Sequence, residues 1–304
     1  KKEFGQKIYK LSLNGGMTCP NRDGTLGTGG CIFCSSGGSG DFATSPKLSI
    51  TSQIEEAQKL VEAKIKGKES ALMLADNSKK YIAYFQAYTN TYGEITYLRD
   101  IFMEAISHPD IVALSIATRP DCLGDKVLAL LEELNQIKPI WIELGLQTCH
   151  ENTAQFIRRG YPLSCFDEAV RKLHQIRIPV IVHVILGLPG ECKSHMLETI
   201  SYINSFHQKG MGVQGIKLQL LHVLKDTDLA KQSFPILSLE EYIDIVISCI
   251  EILPKDMVIH RITGDGPKKL LLAPLWSANK KLVLNRIHQE FKIRDTWQSK
   301  YYKP

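Results

Sequence analysis

Ile111-Val112-Ala113-Leu114-Ser115-Ile116-Ala117, closed by Thr118-Arg119-Pro120-Asp121, sets the pattern of the chain: a nearly unbroken apolar run, then a polar loop. Runs apolar on both alternating faces are expected of parallel strands covered by helices on both sides. Two more follow, Ile140 to Leu146 ending in Gln147-Thr148-Cys149, and Val180 to Leu186 ending in Gly187-Leu188-Pro189-Gly190-Glu191. Toward the N-terminus, Tyr81 to Tyr88 is β-prone and ends in Thr89-Asn90-Thr91. Before it, Ile8 to Leu13 alternates weakly and runs into the turn Asn14-Gly15-Gly16. Toward the C-terminus, a sixth strand, Gly215 to Val223, follows a helix that closes at Gly210.

Helical spacing fills the gaps. Ser52 and Glu55 form a capping-box pattern ahead of Ile54, Ala57, Leu60 and Val61. Leu98, Ile101, Phe102, Ala105 and Ile106 mark the next helix, then Lys126 to Asn135, then Ser164 to Gln175 with Ser164 as its cap. Six βα units in series imply an α/β fold with right-handed crossovers. Polar motifs after every strand favour a partial (β/α)6 TIM-type barrel over a doubly wound sheet, and either form places chemistry at the C-terminal strand ends.

The rhythm changes beyond residue 224. Ser238 and Glu241 form a second capping box opening a helix through Ile252, Met257 to Ile262 reads as a last strand, and Lys268 onward as a basic amphipathic helix. The expected division is a barrel over residues 1–223, with a cysteine loop at 14–40, and an α+β extension over 224–304.

With 304 residues, 44% of them hydrophobic, the chain can bury a sizeable core. It lacks a run of 18 apolar residues, and residues 1–30 lack a signal-peptide pattern, so a cytoplasmic protein without a membrane span is expected. The net charge of +5 is uneven: residues 264–304 hold nine Lys or Arg against three acids. Such a segment suits a polyanionic partner, or is a solvated helix surface.

Eight cysteines are too dilute for a disulfide scaffold, yet Cys19, Cys31 and Cys34 crowd into sixteen residues, and the first histidine is His108. Three thiolates suit a four-iron cluster with one iron left open. On spacing alone, a zinc site closed by a distant residue and a set of unligated thiols stay open. Gly27 to Gly30 and the Ser/Gly run 35–40 would let backbone approach a bound group closely. Cys122, Cys149 and Cys192 each follow a strand end, as radical donors, second-cluster ligands or plain buried thiols. His183, His222 and Arg261 are polar residues in or at the ends of apolar strands, facing substrate or satisfied within the core.

The Cys19 to Cys34 loop, Thr118-Arg119-Pro120-Asp121, Glu143-Leu144-Gly145-Leu146-Gln147 and His183 to Glu191 together resemble radical S-adenosylmethionine (SAM) enzymes. More narrowly they resemble the YhcC/YtqA-like family, related to the radical domain of the Elongator catalytic subunit. Eleven residues separate the first two cysteines, where the widespread radical SAM spacing has three; the longer loop belongs to this branch. The resemblance implies a [4Fe-4S] cluster on Cys19, Cys31 and Cys34, S-adenosylmethionine on the open iron, and reductive cleavage to a 5′-deoxyadenosyl radical that abstracts hydrogen from substrate. It also implies an electron donor such as flavodoxin or ferredoxin.

The resemblance assigns roles by motif. Gln86, Thr89 and Asn90 stand where relatives hold the methionine amino group, although the usual Gly-Gly-Glu is absent. Arg119 is a candidate for a carboxylate of S-adenosylmethionine or substrate. Glu143, a polar head in an apolar run, pairs with a ribose hydroxyl or with Arg119. Val184, Ile185 and Gly187 lie in the segment that receives adenine, and Arg119, Glu143 and His183 are the candidate catalytic residues. By the same analogy the substrate is tRNA, its wobble uridine side chain trimmed from carboxymethylaminomethyl to aminomethyl. Rival readings are a small metabolite or protein side chain as substrate, and an iron–sulfur or zinc RNA-binding module without radical chemistry.

Overall fold

The computed structural model describes residues 4–66, 79–264 and 266–303. In chain order the elements are β1 (Tyr9–Leu13), α1 (Ile50–Lys66), β2 (Tyr81–Phe85), α2 (Ile95–Ser107), β3 (Ile111–Thr118), α3 (Asp125–Asn135), β4 (Ile140–Gln147), α4 (Glu151–Phe156), α5 (Leu163–Gln175), β5 (Val180–Leu186), α6 (Lys193–Gln208), β6 (Val213–Leu220), β7 (Val223–Leu224), α7 (Leu239–Glu251), β8 (Val258–Arg261), β9 (Leu271–Ala273) and α8 (Lys280–Ile293). Much of the polar stretch before Tyr81 falls at residues 67–78, outside the described residues. Seven strands hydrogen-bond in the order β1-β2-β3-β4-β5-β6-β8. Sequential neighbours paired in parallel are what βα units produce.

Two compact units are present, one of residues 1–19 and 37–143, the other of residues 20–36 and 144–304. In the first, β1, β2 and β3 are parallel neighbours. The α2 residues Leu98, Ile101, Phe102, Ala105 and Ile106 are its buried stripe, as the spacing predicts. Phe102 meets Phe85 of β2 edge to face at 5.0 Å. Burying each such side chain contributes about 1.5–3 kcal/mol. Helix α1 begins at Ile50, earlier than the Ser52 cap predicts. Ser49 Oγ accepts from Ser52 N at 3.2 Å, and buried Ile50 extends the Ile54 and Ala57 stripe by one turn.

In the second unit β5, β6 and β8 are parallel neighbours. Strand β8 therefore joins the sheet, although it follows the change of rhythm at residue 224. Phe166, Tyr202 and Phe206 from α5 and α6 pack on one another at 5.3–6.3 Å. Helix α5 opens at Leu163 behind Pro162 rather than at a Ser164 cap, because proline's fixed φ suits a helix start. The Ser238 and Glu241 capping box of α7 forms as expected.

The expected helix from Lys268 is corrected. Leu271–Ala273 instead pairs antiparallel with Val223–Leu224, Pro274 ends that strand, and α8 starts only at Lys280, with the Asn279 side chain accepting from Leu282 N at 3.1 Å. Helix α4 has no counterpart in the sequence reading. No helix among the described residues is long and apolar enough to cross a membrane.

Candidate active site

Strand β1 leads to Cys19 and strand β3 to Arg119. The Arg119 guanidinium forks onto Asp121, Nε to Oδ1 at 2.9 Å and Nη2 to Oδ2 at 2.6 Å. Its remaining Nη1 points at Cys19 Sγ, 3.8 Å away. A nine-tenths buried cation held in a bidentate fork thus turns a further N–H donor toward sulfur. Burial, reinforced by Asp121, pushes the neighbouring Cys122 thiol up to about 12. That thiol stays protonated at neutral pH.

Glu143 of β4 is almost completely buried. Lys10 Nζ of β1 donates to its Oε1 at 2.5 Å and Ser115 Oγ of β3 at 2.8 Å, while Lys10 also reaches Ser115 Oγ at 3.1 Å. The Lys10 ammonium lies 4.9 Å from the Tyr84 ring centroid. Sequence reasoning missed Lys10 and Ser115. Ser115 carries the signal that exposed Glu143, a lone polar residue in an apolar strand.

After β2, Gln86 Nε2 donates to Ser39 O at 2.7 Å. Thr89 and Asn90 are buried. Asn90 Nδ2 donates to Phe85 O and Ala117 O at 3.0 and 2.9 Å, joining the ends of β2 and β3, while its Oδ1 is buried without a hydrogen-bond partner. Gly38, at φ +57°, packs on this loop: an added Cβ would stand 2.2 Å from Tyr88 Cδ1. The Gly-rich run thus makes room here for protein side chains, where the sequence suggested a bound group.

In the second unit, Cys31 and Cys34 share a turn closed by Cys34 N to Cys31 O at 3.0 Å. Arg22 spans it, donating to Cys34 O and Ser35 O at 3.1 and 2.6 Å. Asn21 Nδ2 donates to Cys31 Sγ at 3.5 Å and to Arg158 O at 2.7 Å. Between the two cysteines Ile32 is buried with Ile157, Ile185, Leu188, Leu221, Val223 and Leu229. Ile185 of the expected adenine segment therefore shares an apolar cluster with the cysteine turn; Val184 is 1% exposed, and Gly187 adopts φ +88°. Thr148 Oγ1 donates to Glu191 at 2.6 Å, tying the ends of β4 and β5, and burial pushes the Glu191 carboxyl upward. Fully buried Arg159, also missed, braces that rim through Thr148 O and Leu146 O at 2.7 and 3.2 Å. His183 stands in mid-strand opposite Lys217. Cys149 is half-buried beneath Thr199, and Cys192 is exposed at the start of α6.

Residues 21–203 match the family model described as the Radical SAM superfamily, and residues 213–293 the Radical_SAM C-terminal domain. The chain belongs to the radical SAM superfamily. As a radical SAM enzyme it uses a [4Fe-4S] cluster and S-adenosylmethionine. It is 43% identical over 307 residues to the uncharacterized protein YtqA of Bacillus subtilis, covering all of this chain and 90% of that protein. It is 38% identical to protein YhcC of Escherichia coli over 92% of this chain and 85% of that one. A tRNA uridine(34) acetyltransferase of Methanocaldococcus jannaschii is 26% identical over 55% of this chain and 31% of its own length. Among solved structures, the Methanocaldococcus infernus Elp3 aligns with a TM-score of 0.64 at 18% identity, over 93% of this radical SAM chain and 63% of that one. That likeness bears out the α/β partial-barrel expectation.

The donor set fits the cluster. Three cysteines outside any disulfide stand in the loop, and two of them, Cys19 and Cys31, receive side-chain N–H groups of the kind that hold ligating sulfur.

Proposed function

We propose that Cys19, Cys31 and Cys34 hold the cluster and that this enzyme trims the wobble uridine side chain of tRNA from carboxymethylaminomethyl to aminomethyl. The observation that carries the substrate is the stretch shared with the tRNA uridine(34) acetyltransferase. The surface of the extension agrees with it. Exposed Trp297 and Tyr301 flank Lys300, whose ammonium lies 5.0 and 5.6 Å from their ring centroids, an arrangement suited to stacking bases beside a phosphate. Lys268, Lys269 and Lys281 supply further charge, and an electron donor such as flavodoxin or ferredoxin is the second partner.

When bound, the cluster with S-adenosylmethionine supplies a 5′-deoxyadenosyl radical, a strong hydrogen-atom abstractor. The chain's own residues position and shield it. Arg119 orients a carboxylate, and the buried Asn90 Oδ1 offers an acceptor to the methionine ammonium, with Gln86 and Thr89 beside it. Glu143, oriented by Lys10 and Ser115, accepts from the ribose. Val184, Ile185 and Gly187 form the apolar seat for adenine and exclude water. His183 faces the substrate from mid-strand. Net, the substrate side chain loses two electrons to S-adenosylmethionine, its N–CH2 bond becomes C=N, and water opens that bond to release a two-carbon oxo acid.

The test compares nucleosides in tRNA from cells with and without the gene by mass spectrometry. Accumulation of carboxymethylaminomethyluridine with loss of the aminomethyl form is expected. An unchanged wobble profile refutes the substrate.

A further inference from the structure

The spacer between the first two cysteines, Pro20 to Gly30, is closed on itself. Pro20 O accepts from Leu26 N and Gly27 N at 2.8 and 3.3 Å, and Gly24 N donates to Gly27 O at 3.2 Å. At the base, Asn21 O accepts from Gly30 N at 2.7 Å. Gly30 adopts φ +72°, which glycine reaches without steric cost, and an added Cβ there would meet Arg22 Nε at 2.9 Å. The loop therefore returns to its starting point. Asn21 stands beside Cys31 although ten positions separate the two in sequence.

Asn21 is 5% exposed, so burying its amide is costly unless the chain supplies partners. Its Nδ2 faces Arg158 O at 2.7 Å, Arg159 O at 3.3 Å and Cys31 Sγ at 3.5 Å. Carbonyl oxygens accept and never donate, so the NH2 end of the amide is the end that fits here. Cys31 Sγ itself lies 3.4 Å from Arg158 O. Nitrogen, sulfur and carbonyl oxygen thus form a triangle. A sulfur bound to iron offers only lone pairs, as the carbonyl does, and the Asn21 amide is a donor placed between these two acceptors. The same amide ties the cysteine turn to the sheet. Arg159, whose carbonyl it reaches, holds Leu146 O and Thr148 O at the end of β4 through its Nη1, at 3.2 and 2.7 Å. On the far side of Cys31, Ile32 N donates to Ile157 O at 3.2 Å and Ile32 O accepts from Leu229 N at 2.8 Å. The Cys31 backbone is therefore fixed through Gly30 and Ile32, and its sulfur through Asn21.

We propose that Asn21 is a positioning residue that holds the Cys31 sulfur by an N–H···S hydrogen bond and makes the cluster easier to reduce, a role that rests on the proposed ligation by Cys31. Reduction adds an electron, and donors to the sulfurs stabilise the more negative state more than the less negative one. Burial of the amide strengthens the effect, because a hydrogen bond in a low-dielectric place is electrostatically stronger than one in water. A neutral amide achieves this without adding a further charge to the turn, which Arg22 already spans and where Arg158 is paired with Asp228. The gain falls on a step the reaction needs, since cleavage of S-adenosylmethionine begins with an electron delivered to the cluster. The long spacer is on this reading the support of a sulfur donor, and its closed base is what brings residue 21 back to the second cysteine.

The experiment uses the full, anaerobically reconstituted chain without S-adenosylmethionine, with iron and sulfide measured for each sample. Redox titration followed by electron paramagnetic resonance of the reduced cluster reads the potential. Asn21→Leu, close in shape but without a donor, is expected to lower the ratio of reduced to oxidised cluster at a fixed solution potential by about tenfold, or ~59 mV for one electron. Asn21→Asp sets an acceptor in the donor's place and is expected to lower that ratio at least as far. Loaded variants that keep the wild-type potential overturn the inference. Wild type with isotopically labelled asparagine side-chain nitrogen is expected to show a nitrogen coupling in pulsed spectra of the reduced cluster, which Asn21→Asp abolishes. Absence of that coupling in the wild type overturns the inference even where neither variant takes up a cluster. Cys31→Ala separates this inference from the reading beneath it, and is expected to lose most of the cluster signal. If it keeps the iron content and spectrum of the wild type, Cys31 is not a ligand and the inference falls with the proposed cluster site.

Discussion

Replacing Lys10 with Met isolates the buried charge at the centre of the first unit. The Glu143 side chain has no solvent exposure and that of Lys10 only 27%, so solvent screens the pair weakly. Removing one partner of a buried ion pair costs about 3–5 kcal/mol, because the other charge stays desolvated. Here Ser115 Oγ, 2.8 Å from Glu143, remains as a donor and retains about 1.5 kcal/mol or more of that. The expected loss is thus roughly 2–3 kcal/mol, a fall of about 3–5 °C in Tm for a chain of 304 residues. Urea melts of wild type, Lys10→Met and Lys10→Met/Glu143→Leu measure these losses. The double variant, with no buried charge left, should recover most of the loss. A single variant within 0.5 kcal/mol of wild type, or a double variant as unstable as the single, refutes the reasoning.

Gly38→Ala combines a positive φ of 57° with a Cβ placed 2.2 Å from Tyr88 Cδ1; a loss of about 1–3 kcal/mol is expected in urea melts, part of it regained with Tyr88→Ala. Asp228, held by Arg158 and Lys231, has its carboxyl lowered to about 2 from 3.8. Its contribution is present above pH 3.8 and lost as pH falls through about 2, so Asp228→Asn should lower stability by a constant amount above pH 3.8, the deficit closing as pH falls through about 2. Lys268→Glu, Lys269→Glu and Lys281→Glu combined should weaken tRNA binding and flatten its dependence on salt by roughly two to three in log–log slope. Unchanged affinity would clear these lysines of contacting RNA.

The strands were legible because burial on both faces leaves a run such as Ile111 to Ala117 nothing but apolar residues and one serine. Partners across the sheet were not. Period-two alternation does not say whether Lys10 or Leu11 turns toward β3 and β4, and Lys10 therefore passed as an ordinary strand residue although it neutralises Glu143. The glycines announced a close approach but not by what, and Tyr88 is what approaches Gly38. Basic composition suggested one helix from Lys268, whereas local signals, Pro274 and the Asn279 cap, divide that segment into a strand and a later helix.

The account stands most directly on whether the three-cysteine loop supports radical chemistry. Anaerobically reconstituted protein, incubated with S-adenosylmethionine and dithionite, is assayed for 5′-deoxyadenosine by liquid chromatography. The wild type should form it together with methionine, and Cys34→Ala should form none and lose the brown absorption of the cluster while keeping its helical content. A fully reconstituted wild type that yields no 5′-deoxyadenosine, or a Cys34→Ala variant as active as wild type, would contradict the account.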